Sequence, residues 1–342
     1  CMNINRYMEY LKIAHEEIKR EIPDACIIAF CSTSDKGENI DKFTIQGLQN
    51  GGAAFCDAIS FHPYSTPQIG SPYPADEQIQ EFRKKLTPLT SAGTWNTELY
   101  YLKQADFRDH YTSSLFEAHH AATRFLTDLG EGIVQSCPVH IDSVWKKTIH
   151  ERFRAFISLN GTDGTFSAIG VTYNPLARFF EGAKPIGKFR YPNGVICYVF
   201  RRDGREIAAV WNYGSRRDLS ADFSPFHVMD LFGNPISSGV LPLTPAPYYL
   251  LPKDDTAGFE SSLKNLAIRM EQIVQVQTAA RLIRGKDETA ILRVTLYNTG
   301  NRHATCHAGL AGRLFCPAGG YAFAIPAGQS VTLNLPCKIR NS

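Results

Sequence analysis

The chain has 342 residues, enough for two or three domains. Apolar residues make up 44% and charged residues 20%, an ordinary balance for a globular protein. A net charge of +3, from 36 basic and 33 acidic residues dispersed along the chain, argues against nucleic acid or an anionic membrane as partner, and no apolar run reaches the roughly 18 residues that span a bilayer.

Residues 6–21 carry Tyr7, Leu11, Ala14 and Ile18 at helical spacing, and Pro23-Asp24 ends that helix. Residues 25–30 form a continuous apolar run, which predicts a strand buried on both faces. A helix over 40–50 closes at Gly51-Gly52. A strand over 57–62 runs into His62-Pro63-Tyr64. After an amphipathic helix over 76–86, a strand over 93–97 runs into Glu98-Leu99-Tyr100. A strand–helix–strand unit this short makes its two strands parallel neighbours with a right-handed crossover. Their carboxyl ends then lie side by side. His62, Tyr64 and Glu98 are therefore expected to converge at the end of the sheet where α/β active sites form.

A helix over 112–129 follows, with Gly130 and Gly132 just past its end, then a strand over 132–137 stopped by Pro138 and a helix over 171–181. The four βα units, with strands at 25–30, 57–62, 93–97 and 132–137, amount to half of an eight-fold barrel. A half barrel leaves two parallel edges open and its core uncovered. Either a front half lies outside this sequence, or the sheet is smaller and open. The opening Cys1-Met2-Asn3-Ile4 runs straight into a helix, where a natural amino terminus seldom begins. The front half is thus expected in the full-length protein or in a partner chain.

From about residue 187 the pattern changes to short apolar runs at 195–200, 206–212, 227–231 and 248–251, separated by turn clusters such as Arg202-Asp203-Gly204. This spacing predicts an antiparallel β-sandwich. Residues 254–262 read as a polar linker, and runs at 266–282, 290–296, 320–325 and 330–335 predict a second β module. The expected division is a half barrel over 1–185, a sandwich over 186–255 and a β-rich module over 263–342. Nine cysteines contain no CxxC pair, so a zinc site is not expected. Cys26, Cys31, Cys56, Cys137 and Cys197 lie in apolar runs and read as buried thiols. Cys306, Cys316 and Cys337 could include a disulfide, and the redox compartment stays open.

Other residues have plainer readings. Asp57 caps or orients the strand it precedes. His119 and His120 lie on a helix, one facing solvent, and read as structural. His303 and His307 read as turn residues of a β module rather than metal ligands.

The order of these pieces resembles a known group of enzymes. It comprises the strand ending His62-Pro63-Tyr64, the strand ending Trp95-Asn96-Thr97-Glu98, the helix with Tyr173-Asn174-Pro175-Leu176-Ala177-Arg178, and a β domain with Val228-Met229-Asp230-Leu231-Phe232-Gly233-Asn234 and Ala246-Pro247-Tyr248-Tyr249-Leu250. Over residues 5–252 it is similar to the second half of a retaining glycoside hydrolase of the (β/α)8-barrel clan that holds β-xylosidases and endoglucanases. The resemblance implies a TIM-barrel half followed by antiparallel β-sandwich domains. It implies Glu98 as nucleophile, His62 and Tyr64 beside it, a carbohydrate substrate and no cofactor. Trp95, Tyr100 and Trp145 are expected to offer apolar faces to sugar rings. The clan's acid/base Glu follows an Asn at the end of strand four, and no Asn-Glu pair occurs in the first ten residues. The acid/base residue is therefore expected outside this sequence.

The chemistry asks for this pattern. A retaining glycosidase uses one carboxylate to attack the anomeric carbon and one carboxylic acid, about 5 Å away, to protonate the leaving oxygen. Hydrogen bonds to a carboxylate favour its charged form, and a neighbouring Tyr hydroxyl and His can supply them. Two other classes compete with it. A non-catalytic carbohydrate-binding protein with a decayed barrel would keep the aromatic residues but need not keep the paired carboxylates. An unrelated α/β hydrolase would show a Gly-x-Ser-x-Gly elbow, and none occurs.

Overall fold

A computed structural model describes residues 3–33, 40–63, 75–99, 114–138, 168–214, 218–253, 258–271, 276–284, 289–298, 300, 302–308, 314–315, 321–326 and 329–339. Helix α1 (Ile4–Glu21) is capped by Asn3, whose side chain accepts from Asn5 N at 2.9 Å, and carries Lys19 and Arg20 in its last turn. Both ends thus suit the helix dipole and its orphan backbone groups. Strands β1 (Ile28–Thr33), β2 (Ala58–His62), β3 (Gly93–Leu99) and β4 (Gln135–Pro138) form a sheet in that order, every neighbouring pair parallel. A π-helical turn over Ile40–Ile45 and the short α2 (Gln46–Gln49) connect β1 to β2. Helices α3 (Ala75–Leu86) and α4 (Ser114–Gly130) follow β2 and β3. Among the described residues this sheet has four strands and does not close on itself.

All of β2 is buried. Its alternating side chains serve two faces. Ile59 and Phe61 join Leu11 of α1, Leu48 of α2 and Ile79 and Phe82 of α3 in one apolar cluster, with Phe61 stacked on Phe82 at 4.1 Å. Ser60 and His62 therefore point to the opposite face, away from the helices.

Helix α5 (Ala168–Phe180) leads into a six-stranded sheet that includes β5 (Lys184–Tyr191), β6 (Val195–Arg202), β7 (Arg205–Asn212), β9 (Phe226–Met229), β10 (Pro235–Ile236) and β12 (Tyr248–Pro252), in the order β10-β9-β12-β7-β6-β5. Strand β6 is apolar at six successive positions because both of its faces are covered. Ile196, Tyr198 and Phe200 pack on Ala122 and Leu126 of α4 and Leu176 and Phe180 of α5. Val195, Cys197 and Val199 share a second cluster with Leu219 and Ala221 of β8 (Leu219–Asp222), which pairs with β11 (Val240–Pro242) and β13 (Ile268–Met270). A Cβ on Gly130 would lie 2.2 Å from Tyr198 Cδ1, so the end of α4 meets β6 only because that residue has no side chain.

The last part contains β14 (Val276–Arg284), β15 (Thr289–Asn298), β17 (Leu314–Phe315) and β19 (Ser330–Ile339) in one antiparallel sheet, and β16 (Ala304–Ala308) paired with β18 (Tyr321–Ile325). Tyr297 of β15 reaches back into the α4–α5 cluster, 5.9 Å from the Phe232 ring. No described helix is long and apolar enough to cross a membrane.

Several expectations need correction. The first strand covers residues 28–33, not 25–30. Its polar end continues the ladder because Ser32 is buried against Thr44, their hydroxyls hydrogen-bonded. Residues 254–262 are not wholly a linker: α6 (Phe259–Lys264) buries Phe259 and Leu263 beneath the antiparallel sheets. Cys56 and Cys197 are buried, but Cys26 and Cys31 are exposed and Cys137 is half-buried. Cys26 precedes the strand, and the β1 irregularity between Ala29 and Ser32, with φ of 78° at Phe30 and 37° at Cys31, turns Cys31 outward. Cys306 is a free thiol, Cys337 lies on β19, and Cys316 lies outside the described residues. His119 and His120 are both buried, so neither faces solvent.

Candidate active site

The site is built where β2 and β3 end. His62 is the last residue of β2. Strand β3 pairs regularly with β4 as far as Asn96↔Ser136, then resumes at Leu99↔Pro138. Three steps on β3 answer two on β4, so one extra residue is inserted over Thr97 and Glu98. Such a bulge breaks the strict alternation of side chains and re-aims one of them. Consecutive residues consequently reach the same imidazole. Thr97 Oγ1 lies 2.7 Å from His62 Nε2, and Glu98 Oε2 lies 3.5 Å from His62 Nδ1.

Ser60 completes the polar set, with Oγ 2.5 Å from Thr97 Oγ1 and 3.3 Å from His62 Nε2. With its proton on Nδ1, the ring points an N–H toward Glu98 while Nε2 accepts from a hydroxyl. Burial holds the His62 pKa below its ordinary value, and the Glu98 charge opposes that shift without cancelling it. The imidazole is therefore neutral near pH 7. The His62 side chain is 8% exposed and that of Glu98 39% exposed, so the carboxylate stands at the lip and the imidazole beneath it. This arrangement can present a solvent-reachable carboxylate to an electrophile while holding it against a neutral donor.

Behind the strand ends is a second polar set that the sequence reading did not pick out. Asp128 of α4 accepts from Asn96 Nδ2 at 2.7 Å, Ser136 Oγ at 2.8 Å and Arg124 Nε at 2.9 Å. Arg124 Nη1 donates to the carbonyl of Pro63, next to His62, at 2.6 Å. The available signal was Arg124 and Asp128 at i and i+4, set among the apolar residues of a helix with no exposed residue over 118–130.

Of the expected site residues, His62 and Glu98 come together, and Trp95 is half-buried on β3 two residues before Thr97. Tyr64, Tyr100 and Trp145 lie outside the described residues. Asp57 is structural: its carboxylate accepts from Ile27 N at 2.8 Å and pairs with Lys19 at 3.0 Å, and these contacts hold its pKa below the usual carboxylate value. Among the described residues, no group of three or more His, Cys, Asp or Glu could hold a metal ion.

The chain is similar in structure to a family 39 glycoside hydrolase from the gut symbiont Bacteroides cellulosilyticus WH2, with a TM-score of 0.56 at 18% identity. The match covers 72% of this chain and 55% of that enzyme, so the chain spans about half the length of that relative. Looser matches are BuGH86wt, solved with neoagarooctaose (TM-score 0.48, 11% identity, 98% of this chain and 64% of that one), and a family 5 glycoside hydrolase from Bacteroides vulgatus ATCC 8482 (TM-score 0.37, 14% identity, 73% and 66%). No family model and no curated protein matches the chain. The first of these likenesses establishes a glycoside hydrolase-like fold.

Proposed function

We propose that this chain carries the nucleophile of a retaining glycosidase acting on β-linked sugars. The single observation behind this reading is the His62–Glu98 contact at the carboxyl ends of two adjacent parallel strands, on the face turned away from the helices. The ionised Glu98 attacks the anomeric carbon, forming a glycosyl ester as the glycosidic C–O bond breaks. An acid supplied from outside this sequence protonates the departing oxygen, and water then hydrolyses the ester. His62 and Tyr64 flank the nucleophile, and Trp95, Tyr100 and Trp145 offer faces to sugar rings.

The same reading divides the chain into the second half of a (β/α)8 barrel over 1–185, a β-sandwich over 186–255 and a further β module over 263–342. The apolar cluster shared by the six-stranded and three-stranded sheets supports the sandwich. The four parallel strands in chain order support the barrel half. A complementary front half, on the same polypeptide or on a partner, completes the catalytic pair.

The test is Glu98→Ala in the complete assembly, assayed on an activated aryl β-glycoside. Turnover is expected to fall by several orders of magnitude, since the covalent route closes, and azide or formate is expected to restore part of it. Near-wild-type turnover in that variant overturns the assignment. Sugar binding without any turnover in the wild-type assembly identifies a non-catalytic carbohydrate-binding protein instead.

A further inference from the structure

We propose that Asp128 is a positioning residue for the Glu98–His62 pair and acts through Asn96. The inference rests on the reading of that pair as the working end of the site. Asp128 is fully buried on α4, on the opposite side of β3 from the imidazole. A carboxylate can only accept hydrogen bonds, so the Asn96 amide must turn its NH2 toward it. The amide oxygen then faces back along the strand, where it meets the Glu98 N–H at 3.4 Å. Asn96 is also the last residue paired in register with β4 before the bulge, opposite Ser136, which donates to the same carboxylate oxygen. Asp128 thereby holds both strands at the point where the extra residue enters and orients the group that engages Glu98. Without that constraint the amide is free to flip, which removes the acceptor from the Glu98 N–H and loosens the bulge that turns Glu98 toward His62.

The other arm of the cluster reaches β2. Arg124, paired with Asp128, donates to the Pro63 carbonyl immediately after His62. One buried ion pair thus fixes the backbone on either side of the imidazole–carboxylate contact. A general structural role predicts lower stability on mutation and nothing specific to His62. A positioning role predicts that His62 senses Glu98 less strongly.

The test is the imidazole titration of His62, followed by NMR of histidine-labelled protein. The set comprises wild type, Glu98→Gln, Asn96→Ala and the double variant Asn96→Ala/Glu98→Gln. Glu98→Gln removes the neighbouring charge and is expected to lower the His62 pKa. Asn96→Ala is expected to lower it in the same direction by at least about half as much, since charge interactions fall with distance. Combining the two is expected to add nothing beyond Glu98→Gln alone, the non-additivity of residues acting through one contact. A neutral replacement of the ion pair, Arg124→Met/Asp128→Asn, is expected to reproduce the Asn96→Ala shift. Should that variant fail to fold, Asn96→Ala still decides, because it leaves the ion pair in place.

A folded Asn96→Ala protein with the wild-type titration overturns the proposal. So do shifts that simply add, or a Glu98→Gln variant that leaves His62 unmoved. None of these readouts uses turnover, so an inactive assembly counts against the glycosidase reading and leaves the positioning result intact.

Discussion

Tyr198 and Glu131 meet where the parallel sheet and its helices join the antiparallel part, the phenol donating to Glu131 Oε1 at 2.6 Å. Lys188 of β5 pairs with that same oxygen and lies 2.8 Å from Asp76 Oδ2 at the start of α3, while Arg190 also pairs with Asp76. Gln80 donates to the other oxygen of Glu131 at 2.9 Å. Two buried carboxylates and two cations thus tie α3 and α4 to β5. Removing one member of such a group strands the opposite charge at low dielectric. Glu131→Gln is therefore expected to cost on the order of 3 kcal/mol in urea unfolding. A loss below about 0.5 kcal/mol would mean that the cluster behaves as solvated surface pairs do.

The same junction depends on Gly130. A methyl group there falls inside the Tyr198 ring, which is itself fully buried and stacked on Trp211 at 5.6 Å between ring centroids. Either that buried ring or α4 must shift to relieve the overlap. Gly130→Ala is expected to destabilise by about 1–3 kcal/mol, although alanine is the better helix former. An increase in thermal midpoint would show that propensity outweighs the clash.

Acid should weaken the fold through its histidines. Burial depresses the His62 pKa, and burial followed by the nearby Arg124 charge depresses that of His120 strongly. Each is therefore neutral when folded at a pH where the unfolded chain already takes up a proton. Stability from these groups is present above the ordinary imidazole value of about 6.5 and is lost as pH falls from there through the folded values. Urea unfolding between pH 7.5 and 5 should show this fall, and His120→Gln should flatten it. An unchanged slope in both His62→Gln and His120→Gln would refute the linkage.

Much of this architecture is legible in the sequence because burial writes a simple pattern. The strand at 58–62 and the helices at 75–86 and 114–130 lie within three residues of where apolar runs and helical spacing put them. β5 was not legible: Lys184–Tyr191 lies at the edge of its sheet with no residue fully buried, is irregular between Pro185 and Gly187, and shows no alternation. Within the site, His62 and Glu98 could be found because strand–helix–strand topology fixes which ends adjoin. The bulge at Thr97–Glu98 could not, because no turn residue marks it. It arises from the pairing of β3 with β4, a tertiary relationship.

The hydroxyl beside that bulge gives the last prediction. Thr97 Oγ1 lies 2.7 Å from His62 Nε2, and it also bonds Ser60. Thr97→Val keeps the side-chain shape but replaces this hydroxyl with a methyl group, removing the contacts to a buried ring nitrogen and to the buried Ser60 hydroxyl. A hydrogen bond lost from a buried group typically costs about 1 kcal/mol or more, so a stability loss of that order is expected. Thr97→Ser keeps the hydroxyl and should behave as wild type in the same denaturation assay. The proposed function adds a second consequence. A ring that loses the Thr97 contact is less well fixed opposite Glu98, so in the complete assembly kcat should fall by roughly 10-fold or more while KM changes little. Equal kcat values for Thr97→Val, Thr97→Ser and wild type would show that the orientation of His62 does not bear on the chemistry at Glu98.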